Sequence, residues 1–310
     1  MQKFRNTIFY IFLMMGGLFG FQSAEAACVV TNLPTLNFDA INPVFPQSSN
    51  ELASVDLRYE CEPNKNQLVC IEIYGSRGPN NMRTLSHVSS PSNQMAFNIF
   101  KDPARQVVWD HGNDSVSGLI VAYGKDWNGS GVQSIYGRLY PTGELQTGLY
   151  TASIRLVVRQ AQTPSGPCMG KPSESTLTVI ANVLKACTVS ATTLDFGVQP
   201  SNFSGPINAT SQINTHCANG TDYQIALNNG LHSVGNTRRM KSADGDYIPY
   251  ELYNNPQRTQ RWGETLNTAE TKKLTSTGHA HQSIVYGQVL PTQGLAAAQY
   301  KDTITVTVTY

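Results

Sequence analysis

Six cysteines and one close pair of histidines are the side chains with the most chemistry to offer in this 310-residue sequence. Cys28, Cys61, Cys70, Cys168, Cys187 and Cys217 make an even set. In an oxidising compartment such a set becomes disulfides, with fifteen possible connectivities. His279 and His281 stand two apart and would share one face of a strand. Two imidazoles without a carboxylate or third histidine near them in sequence read as surface, so no metal is expected. Catalysis has no support either. There is no HExxH, no GxSxG and no phosphate loop. Tyr123 and Trp127 could stack on a sugar, but no pair of carboxylates is recognisably placed for glycoside cleavage. Neither an enzyme nor a cofactor is expected.

The chain offers a route to the oxidising compartment. Lys3 and Arg5 precede an apolar run over 8–21, and Ala24, Glu25 and Ala26 follow as a small-residue cleavage box. Residues 1–26 therefore read as a secretory signal. A membrane anchor needs about 20 apolar residues, and this run is shorter. A lipoprotein reading of Cys28 fails because Glu25 stands where an aliphatic residue belongs. Charge is balanced, 22 basic against 21 acidic residues, which removes the electrostatic argument for nucleic acid as a partner.

The elements that must position these residues come in two copies. Cys28, LNF at 36–38 and Cys61 answer Cys187, LDF at 194–196 and Cys217. MAFNIFKDPARQVVW (95–109) answers IPYELYNNPQRTQRW (248–262), and the stretch at 135–158 answers 285–308. A repeat this long means duplicated domains, here 27–186 and 187–310. Both copies alternate with period two in Tyr, Val, Thr and Ile between Gly, Pro and Asn turns, so each is expected to be an all-β, immunoglobulin-like sandwich. In that fold Cys28 with Cys61, and Cys187 with Cys217, would tie the first strand to the second. Cys70 and Cys168 have no counterpart in the second copy and are left to pair with each other.

The CTV start of the second copy, RRM (238–240), LYNN (252–255), WG (262–263), VYG (285–287) and the closing YKDTITVTVTY resemble a spore coat protein U domain. The resemblance covers 187–310 and, more loosely, 28–160. It implies kinship with the subunits of archaic chaperone-usher pili, and a two-copy chain resembles their tip adhesins. The family implies a sandwich that lacks its final strand until a neighbouring subunit's extension fills it. On that footing the partners are a periplasmic pilus chaperone, an outer-membrane usher, an adjacent subunit that donates a strand to 187–310, and an abiotic or host surface. The expected location is the pilus tip at the cell surface. A structural pilus or spore coat subunit, and a secreted carbohydrate-binding module, stand as alternatives.

Residues 176–186 matter most under this reading. Leu177, Val179, Ala181 and Val183 alternate just where a Pro/Gly/Ser linker ends. They are expected to be an internal donor strand for the first copy, the alternative being a linker that happens to alternate. The second copy has no equivalent segment after it, and little remains before Cys28 once the leader is removed. The chain is therefore expected to accept a strand but not to give one.

Connectivity then assigns the ends. If 176–186 runs into Cys187, the end of the first copy that carries Cys28, Cys61, the 161–174 connection and Cys168 is distal, with the 101–105 turn expected beside it. Val44 and Phe45 fall at the proximal end. The stretch SGLIVAYGKDWNGSG (117–131) is apolar where the second copy is polar. Leu119, Ile120, Val121, Tyr123 and Trp127, with Met169, are expected in adhesive loops. The run LIVAYG also reads as a buried strand, and periodicity alone does not separate the two.

Overall fold

The computed structural model describes residues 28–32, 34–44, 51–61, 68–75, 82–109, 119–122, 129–160, 168 and 171–310. The expected leader, Phe45, Tyr123, Trp127 and Met169 lie outside them. Among the described residues there is no helix, so none long and apolar enough to cross a membrane. The fold is all-β and immunoglobulin-like in both copies.

The first ten strands are β1 (Cys28–Val30), β2 (Thr35–Ile41), β3 (Glu51–Cys61), β4 (Leu68–Ile73), β5 (Arg83–His87), β6 (Gln94–Phe100), β7 (Leu119–Ala122), β8 (Ser130–Tyr140), β9 (Gly148–Gln160) and β10 (Ser173–Val183). They form one curled sheet in the order β1-β3-β8-β6-β5-β9-β10-β2, with β4 joining β9 to β7. The two faces of a sandwich are linked here by a short β5–β9 ladder, Ser86 to Thr151 and His87 to Tyr150. The remaining strands are β11 (Cys187–Ala191), β12 (Ile207–Cys217), β13 (Asp222–Leu227), β14 (Arg238–Lys241), β15 (Tyr247–Tyr253), β16 (Lys272–Thr275), β17 (Ala280–Val289) and β18 (Val306–Thr309). These stay as two sheets, β11-β12-β17-β15-β14 and β16-β13-β18, because the matching contact shrinks to an isolated bridge between Lys241 and Lys301.

Alternation explains the cores. Leu36 and Phe38 face inward from β2, and Asp39 then enters the left-handed region at φ 57°, which inserts one residue. The bulge hands the inward position to Ile41, keeping a third apolar side chain in the core. Packing is close at Gly137 of β8. A Cβ there would lie 2.6 Å from Leu36 and 2.7 Å from Phe38. Gly287 does the same for Leu194 at 2.7 Å and Phe196 at 3.0 Å, so in each copy only a glycine lets the LNF or LDF segment cross β8 or β17.

Each copy also buries an arginine, Arg83 and Arg238. Arg238 donates to the carbonyls of Leu227, Asn228 and Trp262 and pairs with Glu251, which satisfies a charge that would otherwise be prohibitive to bury. Arg83 donates to Trp109 O at 2.9 Å. The Pro-x-Arg turns are equally matched. Arg105 and Arg258 both have φ 55°, and their Nε atoms donate to Gly137 O at 2.8 Å and Gly287 O at 3.2 Å. This corrects the expected position of the 101–105 turn. Arg105 also reaches Ala53 O at 3.0 Å, so the turn flanks the middle of β8 and not the Cys28–Cys61 end.

Candidate functional site

The site that distinguishes the two copies is the long groove between the edges of each sandwich. In the first copy β10 fills it. Ser173 to Val183 pairs antiparallel with β9, Leu177 opposite Ile154 and Val179 opposite Ala152, while its other edge runs parallel to β2 with Val179 beside Leu36. Leu177, Val179 and Ala181 are fully buried and Val183 is 2% exposed. The outward side chains between them are Thr178, Ile180 and Asn182.

In the second copy the same groove is open. Residues 192–200 and 293–300 carry no ladder, and of the segment equivalent to β9 only β18 forms one, with β13, apart from the isolated bridge at Lys301. The cleft between them has volumes of about 600 Å³ and 560 Å³ in its two halves, which share Leu194, Phe196, Met240 and Tyr300. Ile304, Val306 and Val308 pack on the core yet remain half-buried, whereas their counterparts Ile154, Leu156 and Val158 are buried. Aliphatic side chains at matched positions differ in burial because one groove holds a strand and the other does not.

The described cysteines form three bonds, Cys28–Cys61, Cys70–Cys168 and Cys187–Cys217. Cys28 and Cys61 are directly opposed across the β1–β3 ladder, as Cys187 and Cys217 are across β11–β12. Cys70, Glu72 and Cys168 cluster, but the sulfurs are bonded to each other and offer no thiolate to a metal. Arg159 pairs with Glu72 at 2.8 Å and donates to Cys168 O, holding Cys168 against β9. Among the described residues His279 and His281 belong to no cluster of three metal-ligating side chains. His279 instead meets Glu144 at 2.6 Å, a carboxylate that sequence spacing could not have placed there. Thr147 N also donates to Asn219 O, so the 141–147 connection touches the second copy.

The expected adhesive residues separate. Leu119, Ile120 and Val121 are not in a loop: they belong to β7, which pairs antiparallel with β4, Cys70 opposite Ile120 and Val69 opposite Val121. Val121 packs against the core. The loop expectation is corrected for these three, because the apolar run continues the sheet past Cys70. The segment joining Ala122 to Ser130 leaves beside Leu68 and returns beside Glu60, at the end of the sandwich that carries Cys61.

The Spore Coat Protein U domain matches residues 21–156 and again 173–307, and the chain belongs to that family. Among curated proteins it is similar to Protein U of Myxococcus xanthus, 29% identical over 160 residues that cover 46% of this chain and 88% of that protein. Among solved structures it is similar to a chain of the CsuC-CsuE chaperone-tip adhesion subunit pre-assembly complex from the archaic chaperone-usher Csu pili of Acinetobacter baumannii. That likeness has a TM-score of 0.50 at 17% identity and covers 92% of this chain and all of the other, so it concerns the fold. The fold is that of chaperone-usher pilus subunits.

Proposed function

We propose that this chain is the tip adhesin of a chaperone-usher pilus. In this reading 27–186 is an adhesin domain closed by its own donor strand, and 187–310 is a pilin-like domain that takes its last strand from another polypeptide. The observation that carries it is the contrast between buried Ile154, Leu156 and Val158 and half-buried Ile304, Val306 and Val308. A cleft of this length, apolar on its floor and flanked by unpaired backbone, is completed by strand addition. A periplasmic chaperone supplies the strand first, an adjacent subunit replaces it at the usher, and the chain reaches the cell surface at the pilus end. A chain that fills one groove itself presents a single acceptor, as a terminal subunit requires. The surface that attaches is assigned to the distal connections bearing Tyr123, Trp127 and Met169.

The test is thermal unfolding of the purified chain with and without a peptide from the donor extension of a neighbouring pilus subunit. Two transitions are expected, the lower from 187–310, and saturating peptide should raise only that one, by roughly 2.7 kcal/mol of stabilisation at a hundredfold excess over its dissociation constant. A lower transition that no donor peptide moves would remove the open-groove reading.

A further inference from the structure

The two grooves follow one plan, and at one wall position a carboxylate replaces a methyl group. Val179 of β10 lies opposite Ala152, and both side chains face the core. The repeat places Asp302 where Ala152 stands. Asp302 lines the open cleft with Ile213, Tyr250, Val285 and Ile304. Its carboxylate accepts from Tyr250 Oη at 2.8 Å and from His232 N at 3.2 Å. Gly230, at φ +86°, packs against it so closely that a Cβ would meet Oδ2 at 2.0 Å. Burial, and then the bond to Asp302, push the Tyr250 phenol up, which keeps it a donor. Two segments, the 230–232 turn and β15, thus hold an acid in the wall of a cleft beside Ile213, Val285 and Ile304.

A strand laid into the cleft in the register of β10 presses its Val179 position onto this carboxylate. Water then leaves. A carboxylate has about four acceptor sites, and two protein donors leave the set half filled. Sealing it under an aliphatic side chain is unfavourable, whereas a hydroxyl or side-chain amide at that position supplies a bond. We propose that Asp302 is a specificity residue of the second cleft: it disfavours the chain's own donor sequence, 173–186, and selects a donor strand from a different polypeptide with Ser, Thr, Asn or Gln at the position facing it. The proposal rests on the strand-accepting reading of the cleft. It gives the chain a means of not closing its neighbours' clefts with its own β10, and so of not polymerising with itself.

Two labelled peptides test it, SESTLTVIANVLKA, which is residues 173–186, and the same peptide with Val179→Ser. Both are titrated by fluorescence anisotropy into the purified chain and its Asp302→Ala variant. β10 is tethered to the first groove at high effective concentration, so free peptide reports the second. The serine peptide should bind the parent chain at least about tenfold more tightly than the valine peptide, the ratio that ~1.4 kcal/mol of burial cost produces. Asp302→Ala, which puts at 302 the side chain that lies opposite Val179 in the first copy, should invert the order. Should that variant not fold, Asp302→Asn keeps the shape without the charge and should bring the ratio towards one. Peptides that bind with equal affinity, or a ratio indifferent to residue 302, would overturn the role of Asp302 and leave the cleft reading standing. Binding of neither peptide to any of these chains would overturn both.

Discussion

Asp102 and Asn255 occupy the same turn in the two copies and cap it with different groups. The Asp102 carboxylate accepts from Gln106 N at 3.0 Å and Val107 N at 2.7 Å, and the Asn255 amide oxygen accepts from Thr259 N at 3.2 Å and Gln260 N at 2.9 Å. Only the first is sensitive to acid. The Gln106 amide, then that of Val107, hold the Asp102 carboxyl below its usual range. A group depressed on folding contributes stability above its unfolded pKa and loses it as pH falls through the folded value. The expected window therefore opens below about pH 4. Asp102→Asn should shrink the fall in the urea midpoint of the first domain between pH 6 and pH 2.5. An unchanged fall would mean that these bonds are not linked to folding. Arg238 shows what residue types conceal: in the run RRM it reads as a surface base, and only the carbonyls of Leu227, Asn228 and Trp262, distant in sequence, make a buried site for it.

At the scale of elements, strict period-two alternation made the sheets legible, because a strand with one wet face must alternate. Short apolar runs were not. LIVA at β7 has no alternation to orient it, and what decides its place is a partner, β4, that local sequence does not reveal. The turn at 101–105 misled for a similar reason. Its position depends on Arg105 reaching the Gly137 and Ala53 carbonyls, contacts that span 32 and 52 residues. The groove residues 177–183 are the opposite case, since four inward side chains repeat without a break. Leu177, Val179 and Val183 are each worth about 1.5–3 kcal/mol when buried and Ala181 less, and together they rival the ~5–15 kcal/mol that holds a domain folded. Val179→Asp should therefore cost more than about 3 kcal/mol, read as a lowered or lost first-domain transition in thermal melts. Asn182→Asp, on the exposed face of the same strand, should change the transition little. Equal melts for the two variants would show that β10 does not complete the first core.

For the whole molecule, the two ends of the first copy have different surroundings. One end meets the second copy through Glu144, Thr147, Asn219 and His279, and beyond it lies the open cleft. The other carries Cys28–Cys61, the return of the chain at Ser130, and Cys168 braced by Arg159. Connections at the end of a rigid sandwich are where binding concentrates. Tyr123 and Trp127 fall in the connection between β7 and β8, whose flanks are fixed at that end by ladders to Leu68 and Glu60. An aromatic side chain gains roughly 1.5–3 kcal/mol on meeting an apolar or stacking surface, too little for one molecule to hold. Under the proposed function, many fibres on one cell would multiply such weak contacts through effective concentration, which makes attachment depend steeply on each residue. Replacing Tyr123 and Trp127 together by Ser should leave donor-peptide binding unchanged, because the cleft is at the far end, while lowering the number of cells retained on polystyrene by more than about tenfold. Cells that carry the double variant at parental surface levels and still adhere like the parent would exclude this connection as the adhesive surface and direct the search to the sheet faces.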